Sequence, residues 1–449
     1  MNKHQSAILF GILAISTSLP AAKLPNIVYI ISDDQAWNDY GFMGHPDIST
    51  PHLDKLAKES VLYRRGYVPT ALCRPSLMTM LTGRFAHQHG VTGNDPSPKY
   101  AKGELYNQRR AQLITYLDNF EALPKLLVSK GYLAHQSGKF WEGSYGHGGF
   151  THGMTRGFPE KGGRHGDDGL KIGREGLDPV EKFVDHSIKE EKPFFLWYAP
   201  FLPHSPHTPP ERILQKYTKD GRPAPVAKYY AMCEWFDETC GQLINILDKR
   251  NLRENTLIAY VCDNGWIQSP DSSRYAPRSK QTPNEGGIRT PIFFNWPGKL
   301  KPSDRPELIS SIDIYPTLLA SAGIQAPCDI PGINLFPNME NGTPLGRDTI
   351  FGESFAHDIA DIEKPEASLL YRWCIQGEWK LLLTYDGEVN RYKSTHPRTE
   401  KRPQLFNLKQ DPWENANLAA QNPELVSKLA QKIDGWYPLK ERKALTTWE

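Results

Sequence analysis

Short apolar segments alternate with amphipathic segments along most of this chain, and this alternation constrains the fold more than any other feature. NIVYIIS at residues 26–32 is almost entirely apolar, which is typical of a strand buried on both faces. HLDKLAKESVLY at 52–63 has the spacing of an amphipathic helix, and further strands are expected within KPFFLWYAP at 192–200 and before CDNG at 262–265. Strands that alternate with helices predict an α/β fold with a large central, mostly parallel sheet flanked by helices.

The pattern changes after about residue 337. YRWCIQGEWKLLLTYDG at 371–387 predicts a β-hairpin, and NPELVSKLAQKIDGWY at 422–437 predicts a terminal helix. We therefore predict a large domain over residues 23–337 and a smaller C-terminal α+β subdomain with an antiparallel sheet over residues 338–449.

Residues 1–22 have the layout of a secretory signal peptide. A short basic start is followed by the apolar run Ala7–Ile15 and then by small, turn-prone residues. The alternative is a buried N-terminal strand. No later stretch is long and apolar enough to span a bilayer, so we expect an exported protein, periplasmic or secreted, without a membrane span in its mature form.

Charge and cysteine content exclude some classes of function. The formal charge of +2, from 53 basic and 51 acidic residues, gives no global field for nucleic acid or an anionic membrane. Any attraction for an anionic substrate must therefore be local. Six cysteines in 449 residues are too few for a disulfide-built scaffold, and no pair has the spacing of a zinc site.

Polar side chains follow two of the predicted strands directly. Asp33 and Asp34 come after the first strand, and Asp263 and Asn264 follow the strand that ends near Cys262. The carboxyl ends of parallel strands meet at one edge of a sheet, where α/β proteins bind their ligands. Four oxygen donors without sulfur or imidazole favour Ca²⁺ or Mg²⁺. Either pair alone could instead cap a helix or form a turn.

A series of short motifs then resembles a known family. In chain order they are DDQ at 33–35, CRPS at 73–76 with LTGR at 81–84, SGK at 137–139, PHSP at 203–206, CDNG at 262–265, EGGIRTP at 285–291 and QLFNLKQDPWENANLA at 404–419. Together they resemble the type I sulfatases of the alkaline-phosphatase superfamily, from about Pro25 to the C-terminal helix. The resemblance implies an alkaline-phosphatase-like fold whose larger domain, residues 23–337, is catalytic.

The resemblance also implies a reaction. In the family, a maturation enzyme oxidises the motif cysteine, here Cys73, to formylglycine, whose hydrated aldehyde attacks the sulfur of a sulfate ester. Ca²⁺ would be held by the formylglycine together with Asp33, Asp34, Asp263 and Asn264. Lys139 and Lys280 match the family lysines that contact the sulfate. We expect a sulfated carbohydrate as the substrate.

The segment PFLPHSPHTPPE at 200–211 contains two histidines, either of which could be the family histidine near the leaving oxygen. Alignment with the family motif favours His204 as the residue near the leaving oxygen, with His207 as a neighbour or a subsite residue. Asn94 and Asp95 lie in a predicted pocket loop where they could contact sugar hydroxyls. Trp141 could stack on a sugar or pack within the core.

Two positions depart from the family pattern. Leu77 stands where the family usually has an arginine, which maturation enzymes read and which reaches back towards the aldehyde. Arg74 lies about 100° away around a helix, so it could approach a sulfate only from another side. Trp141 stands where the family often has a histidine.

Two other functions are compatible with these residues. One is a phosphodiester or phosphonate ester hydrolase of the same superfamily, which would share the metal ligands. The other is a non-catalytic binder of sulfated glycans with an unmodified Cys73. The departures from the family pattern at Leu77 and Trp141 support this alternative.

Overall fold

The computed structural model describes residues 23–219, 221–386, 400 and 402–440. The predicted signal peptide at 1–22 and parts of the predicted C-terminal subdomain (387–399, 401 and 441–449) lie outside the described residues. No helix in the described part of the chain has both the length and the apolar composition needed to cross a membrane.

Strands and helices alternate through the larger part of the chain. The described strands are β1 (Asn26–Ser32), β2 (Val61–Tyr67), β3 (Asp95–Pro96), β4 (Leu133–Gly138), β5 (His152–Gly153), β6 (Phe194–Ala199), β7 (Thr256–Cys262), β8 (Arg289–Asn295), β9 (Ser303–Arg305), β10 (Ile309–Ser310), β11 (Thr349–Phe355), β12 (Asp358–Ile359), β13 (Leu369–Gln376), β14 (Trp379–Thr384) and β15 (Gln404–Asn407). The described α-helices are α1 (Pro51–Lys58), α2 (Cys73–Thr82), α3 (Ala86–His89), α4 (Glu104–Thr115), α5 (Leu123–Ser129), α6 (Asp178–Lys189), α7 (Glu211–Tyr217), α8 (Ala224–Asp248), α9 (Glu285–Ile288), α10 (Ile314–Ser321), α11 (Phe336–Asn341) and α12 (Pro423–Trp436).

The central sheet has the strand order β10-β2-β8-β7-β1-β6-β4-β5, with β9 also paired to β2. Strand β8 runs antiparallel to both its neighbours, and the other pairings among the described strands of this sheet are parallel. The prediction of an α/β fold with a large, mostly parallel sheet is confirmed.

The sheet is buried on both faces, which explains its continuous apolar strands. Along β1, Tyr29 belongs to one apolar cluster and Val28 to another, because successive side chains point to opposite faces. Helices α2, α5 and α10 contribute to the first cluster, whereas α1, α6 and α8 contribute to the second. Layers of helices therefore cover both faces of the sheet.

A separate antiparallel sheet, β11-β13-β14-β15, follows in the C-terminal part. Strands β13 and β14 form the predicted hairpin, and α12 packs Leu429 and Ile433 into a cluster with Cys374 and Leu381 of this sheet. The prediction of a smaller antiparallel sheet with a terminal helix is confirmed. Residue 337, where we predict the domain boundary, lies within α11.

A buried ion cluster joins the second sheet to a loop of the central sheet. The Nζ atom of Lys380, on β14, lies 3.1 Å from Oε1 of Glu285 and 2.8 Å from Oε1 of Glu414. The other carboxylate oxygen of Glu414 accepts hydrogen bonds from the backbone N–H of Glu285 (2.8 Å) and from Nδ2 of Asn284 (2.9 Å). The side chains of Lys380 and both glutamates are at most 1% exposed, so their charges depend on one another.

Replacing Lys380 by methionine should destabilise the protein strongly, because it removes the nearest cation of two buried carboxylates, whose other cations, Arg289 and Arg278, lie 3.5 and 3.9 Å away. We expect the free energy of unfolding to fall by about 3–5 kcal/mol in urea titrations. The matched control is Lys409→Met, since Lys409 is 74% exposed and pairs with Glu378 at the surface, where an ion pair contributes little. Equal stability losses in the two variants would contradict the prediction.

Candidate active site

Asp33, Asp34, Asp263 and Asn264 meet at the carboxyl edge of the central sheet. Strand β1 lies between β6 and β7, and the register pairs Ser32 with Cys262, so the residues after both strands lie level. The backbone N–H of Asp34 donates to Oδ1 of Asp263 at 3.2 Å. Asp34 has a φ of 63°, a left-handed conformation that aspartate tolerates better than most residues do.

Cys73 lies beside this group as the first residue of α2. Its Sγ is 3.1 Å from Nζ of Lys280, and only 1% of the residue is exposed. The helix ends at Gly83, which takes the left-handed conformation common after helix C-termini. The backbone N–H of Gln281 donates to the carbonyl of Ala71 at 2.7 Å, which ties the Lys280 loop to the segment that leads into Cys73.

Two buried lysines neutralise most of the carboxylate charge. Nζ of Lys139, just after β4, lies 2.6 Å from Oδ1 of Asp33 and 3.4 Å from Oδ2 of Asp263. Nζ of Lys280 lies 2.6 and 2.8 Å from the two carboxylate oxygens of Asp34. We refer to these two lysines and three aspartates as the charge cluster.

The electrostatics of the charge cluster differ from residue to residue. Burial raises the pKa of Asp34, but Lys280 and then His204 outweigh it and bring the pKa to about 2. Burial outweighs Lys139 at Asp33, whose pKa is raised well above its ordinary value. Burial also raises the pKa of the Cys73 thiol to about 12, although Lys139 and Lys280 oppose it. An unmodified Cys73 is therefore a protonated thiol at neutral pH, and a poor nucleophile.

His204 joins the cluster from the loop after β6. Its Nε2 lies 3.2 Å from Oδ2 of Asp34, its Nδ1 lies 2.5 Å from the Ser205 carbonyl, and its ring stacks on Phe201 at 4.2 Å. Both ring nitrogens face oxygen acceptors, which favours the doubly protonated ring, whereas burial lowers the pKa of His204 well below its ordinary value. The charge state of His204 therefore depends on the balance between Asp34, whose negative charge raises the pKa of the ring, and burial and the two lysines, which lower it.

The buried carboxylate and amide oxygens at this edge fit a hard divalent cation, and a sulfur and an imidazole nitrogen lie near them. Single donor atoms of Asp33, Asp34, Cys73 and His204 lie within 4.8 Å of one another. Oδ2 of Asp33 and Oδ1 of Asn264 are buried and accept no hydrogen bond from the described residues. Buried oxygens without a donor are costly, and coordination of Ca²⁺ or Mg²⁺ by such oxygens would remove that cost.

A cavity of about 910 Å³ opens above this group. Of the residues singled out in the sequence, it is lined by Cys73, Asn94, Asp95, Trp141, His204, His207 and Lys280. The ring of Trp141 lies 5.3 Å from Nζ of Lys139 and is nearly buried, so it both packs and borders the cavity. Lys139 is not among the residues that line the cavity.

Arg74 forms an ion pair with Glu142, a contact that the sequence did not suggest. Its guanidinium donates two hydrogen bonds of 2.7 Å to the carboxylate of Glu142, and both side chains are buried. The backbone N–H of Arg74 donates to Oδ1 of Asn94 at 3.1 Å. Arg74 thus orders Asn94 and Glu142 and does not line the cavity. Leu77 is 3% exposed and belongs to the apolar core.

Asp95 is also engaged by charged neighbours. Its Oδ2 accepts a hydrogen bond of 2.7 Å from Nε of Arg164, and its Oδ1 lies 3.4 Å from Nε of Arg110. Sequence reasoning missed Arg164 and His357, which contacts Asn94 at 3.3 Å, because both come from segments without periodicity or motif. Both residues reach the cavity through tertiary contacts between segments that are distant in sequence.

Comparison with protein families adds independent information. Residues 25–324 match a family model described as Sulfatase, and residues 279–436 match one described as N-sulphoglucosamine sulphohydrolase, C-terminal. Arylsulfatase A of Bos taurus is 27% identical over 480 residues, which cover 94% of this chain and 88% of the relative. N-acetylgalactosamine-6-sulfatase of Homo sapiens is 26% identical over 461 residues, which cover 92% and 84%.

Solved structures share the fold at lower identity. One, solved in complex with its substrate D-glucosamine-2-N,6-O-disulfate, has a TM-score of 0.69 at 19% identity and covers 92% of this chain and 97% of its own. The phosphonate monoester hydrolase of Agrobacterium radiobacter has a TM-score of 0.68 at 19% identity and covers 92% and 95%.

The thiol of an unmodified Cys73 should resist alkylation in the native protein, because it is buried and protonated. Cys328 is the internal control, since it is a free and exposed cysteine. We expect iodoacetamide at pH 7.5 to label Cys328 within minutes and Cys73 only after unfolding, as read from peptide masses. Labelling of both at similar rates would contradict the burial and the raised pKa described above.

Proposed function

This chain belongs to the sulfatase family and is a sulfuric ester hydrolase, and we propose that it hydrolyses sulfate esters of a carbohydrate with a formylglycine derived from Cys73 and a bound Ca²⁺. The observation that carries the proposal is the position of Cys73: it lies at the base of the cavity, 3.1 Å from the buried Lys280 and beside the aspartates. The names of the relatives support a carbohydrate, since one acts on an N-acetylgalactosamine sulfate and a similar structure holds a glucosamine disulfate.

The two lysines of the charge cluster, Lys139 and Lys280, would bind the sulfate group. Nζ of Lys139 and Nζ of Lys280 are fixed by carboxylates and need no reorganisation to stabilise negative charge on sulfuryl oxygens. His204 lies beside Asp34 at the cavity wall, where its ring, once protonated, would donate a proton to the leaving sugar oxygen. The rings of Trp141 and Phe201 lie 5.3 and 5.4 Å from Nζ of Lys139 and would shield that lysine from water.

Two groups would supply chemistry that the unmodified side chains lack. Ca²⁺ held by Asp33, Asp34, Asp263 and Asn264 would balance the carboxylates and lower the pKa of a hydroxyl bound to it. Formylglycine would replace a protonated, buried thiol by a hydrated aldehyde whose second hydroxyl allows the sulfate to be released. A cysteine thiolate has no comparable route of release, which is the chemical reason for the modification.

We further propose that residues 1–22 direct export, so that the mature protein is periplasmic or secreted. The basic start and the apolar run Ala7–Ile15 support this proposal. A maturation enzyme would then have to tolerate Leu77 in place of the arginine of its usual recognition signal.

The second candidate is hydrolysis of a phosphonate or phosphodiester. The similarity to the phosphonate monoester hydrolase supports it at the level of the fold. A panel of an aryl sulfate, a phosphodiester and a phosphonate, assayed side by side, separates the two candidates. We expect the highest kcat/KM for the sulfate ester, and a higher value for either phosphorus ester would favour the second candidate.

Peptide mass spectrometry of Cys73 tests the proposed nucleophile. In protein from its native host we expect a fragment whose mass corresponds to replacement of the thiol by an aldehyde oxygen. Cys73→Ala should lower kcat by on the order of 10⁴-fold or more, because it removes the group that attacks sulfur. The matched control is Cys374→Ala, which alters a buried cysteine of the second sheet. An intact thiol throughout, with sugar binding but no turnover, would favour the non-catalytic binder.

Ca²⁺ should stabilise the folded protein through the carboxylates at the sheet edge. At Ca²⁺ concentrations about 100-fold above Kd, binding adds about 2.7 kcal/mol to the free energy of unfolding, which raises Tm in differential scanning calorimetry. Asp263→Asn should abolish most of this increase, and a chelator should reverse it in the parent protein. Asp271→Asn, at an exposed acid, is the control; an equal response in both variants would exclude Asp263 as a ligand.

A further inference from the structure

The lining of the cavity carries more positive charge than one sulfate ester requires. Arg164, Lys228, Arg274 and Lys280 line it, whereas Asp95 is the one carboxylate among its described lining residues. Asp95 already binds Arg164 and lies 3.4 Å from Arg110, so its charge is balanced within the protein. The whole chain carries a formal charge of only +2, so this excess is local.

Lys228 and Arg274 have no role in the proposed reaction and no carboxylate partner among the described residues. Both side chains are exposed, and neither forms an ion pair with a carboxylate of the described residues. The lysines of the charge cluster differ in this respect, because both are buried against aspartates. An unpaired cation on a cavity wall can bind an anionic group of a ligand at little desolvation cost.

The backbone holds Arg274 in place. Its carbonyl accepts hydrogen bonds from the N–H of Ser269 at 3.0 Å and from Nε2 of Gln268 at 3.1 Å. Gln268 also accepts a hydrogen bond of 3.1 Å from Nε1 of Trp266 on the cavity wall, and it pairs with Tyr275 in an isolated β-bridge. Lys228 lies in the first turns of α8, next to Pro225, which also lines the cavity. Both cations thus project from ordered backbone.

The size of the cavity allows a ligand larger than one sulfated ring. Ligand pockets typically measure about 300–1,000 Å³, and this one, at about 910 Å³, lies near the upper end. Trp266 and Tyr275 also line the cavity near Arg274, but both side chains are largely buried and pack on one another, with ring centroids 5.0 Å apart.

We propose that Lys228 and Arg274 form a second anion subsite, which binds a further negatively charged group of the carbohydrate while its scissile sulfate lies at Cys73. The substrate is then a carbohydrate with at least two anionic groups, the second being a sulfate or a carboxylate. This inference rests on the proposed sulfatase function and adds the class of its substrate.

The test compares three oligosaccharides with the same backbone: monosulfated, disulfated, and monosulfated with one uronate carboxylate. The variant is Lys228→Met with Arg274→Met, and the control is Lys249→Met with Lys301→Met, two exposed lysines outside the cavity lining. For the parent and the control, kcat/KM should be higher for a doubly charged substrate than for the monosulfated one. In the variant, this ratio should fall about tenfold or more, mainly through KM, because a charge-assisted contact is lost.

The two doubly charged substrates identify the second group: a preference that only the disulfated substrate shows indicates a sulfate, and one that only the uronate shows indicates a carboxylate. The proposal is overturned if the ratio does not change. A fall of kcat/KM by the same factor for all three substrates is one such result, and it would indicate only general electrostatic attraction.

Calorimetric binding of the same oligosaccharides to Cys73→Ala keeps this test separate from the proposed reaction. Absence of turnover with every sulfate ester would refute the sulfatase function, whereas the affinity ratio between doubly and singly charged ligands would still report on Lys228 and Arg274. We expect that ratio to fall about tenfold when both cations are removed. An unchanged ratio overturns the subsite whatever the activity.

Discussion

The buried pairing of Lys139 and Lys280 with Asp33, Asp34 and Asp263 is the interaction on which the rest of the site depends. Charges removed from water are tolerated only when they compensate one another. When all three carboxylates are ionised, the charge cluster keeps one negative charge that the two lysines do not balance. A proton can take up that charge, as the raised pKa of Asp33 indicates, or a cation can. The same imbalance would destabilise an ordinary core, and here it leaves this edge of the sheet able to accept one further positive charge.

The sequence predicted the parts of the site that are tied to strand ends. Asp33, Asp34, Asp263 and Asn264 follow buried strands directly, so knowing that the strands are parallel is enough to bring them together. Arg74 shows where such reasoning stops. Its direction around α2 follows from the helical period, but its partner Glu142 lies 68 residues away in a segment without regular structure. No local pattern encodes that contact, and the same holds for the approach of Arg164 to Asp95.

Departures from the family pattern have a physical basis in the packing. Leu77 is part of the apolar core between the central sheet and the helices that cover it, so this position contributes to packing. Trp141 encloses Lys139 together with Phe201, whose ring lies 5.4 Å from Nζ of that lysine. The fold class and the antiparallel second sheet followed from hydrophobic patterning alone, because both depend on the period of the apolar residues and not on individual contacts.

The ion cluster of Lys380, Glu285 and Glu414 has a consequence for the order of events during synthesis. Glu285 lies five residues after Lys280, and its partners come from β14 and from the chain beyond β15, which leave the ribosome long after α2 has been made. Until those segments arrive, the loop above Cys73 lacks its buried anchor. In the folded protein Cys73 is only 1% exposed. An enzyme that oxidises Cys73 would therefore find the thiol accessible only before the last third of the chain has folded.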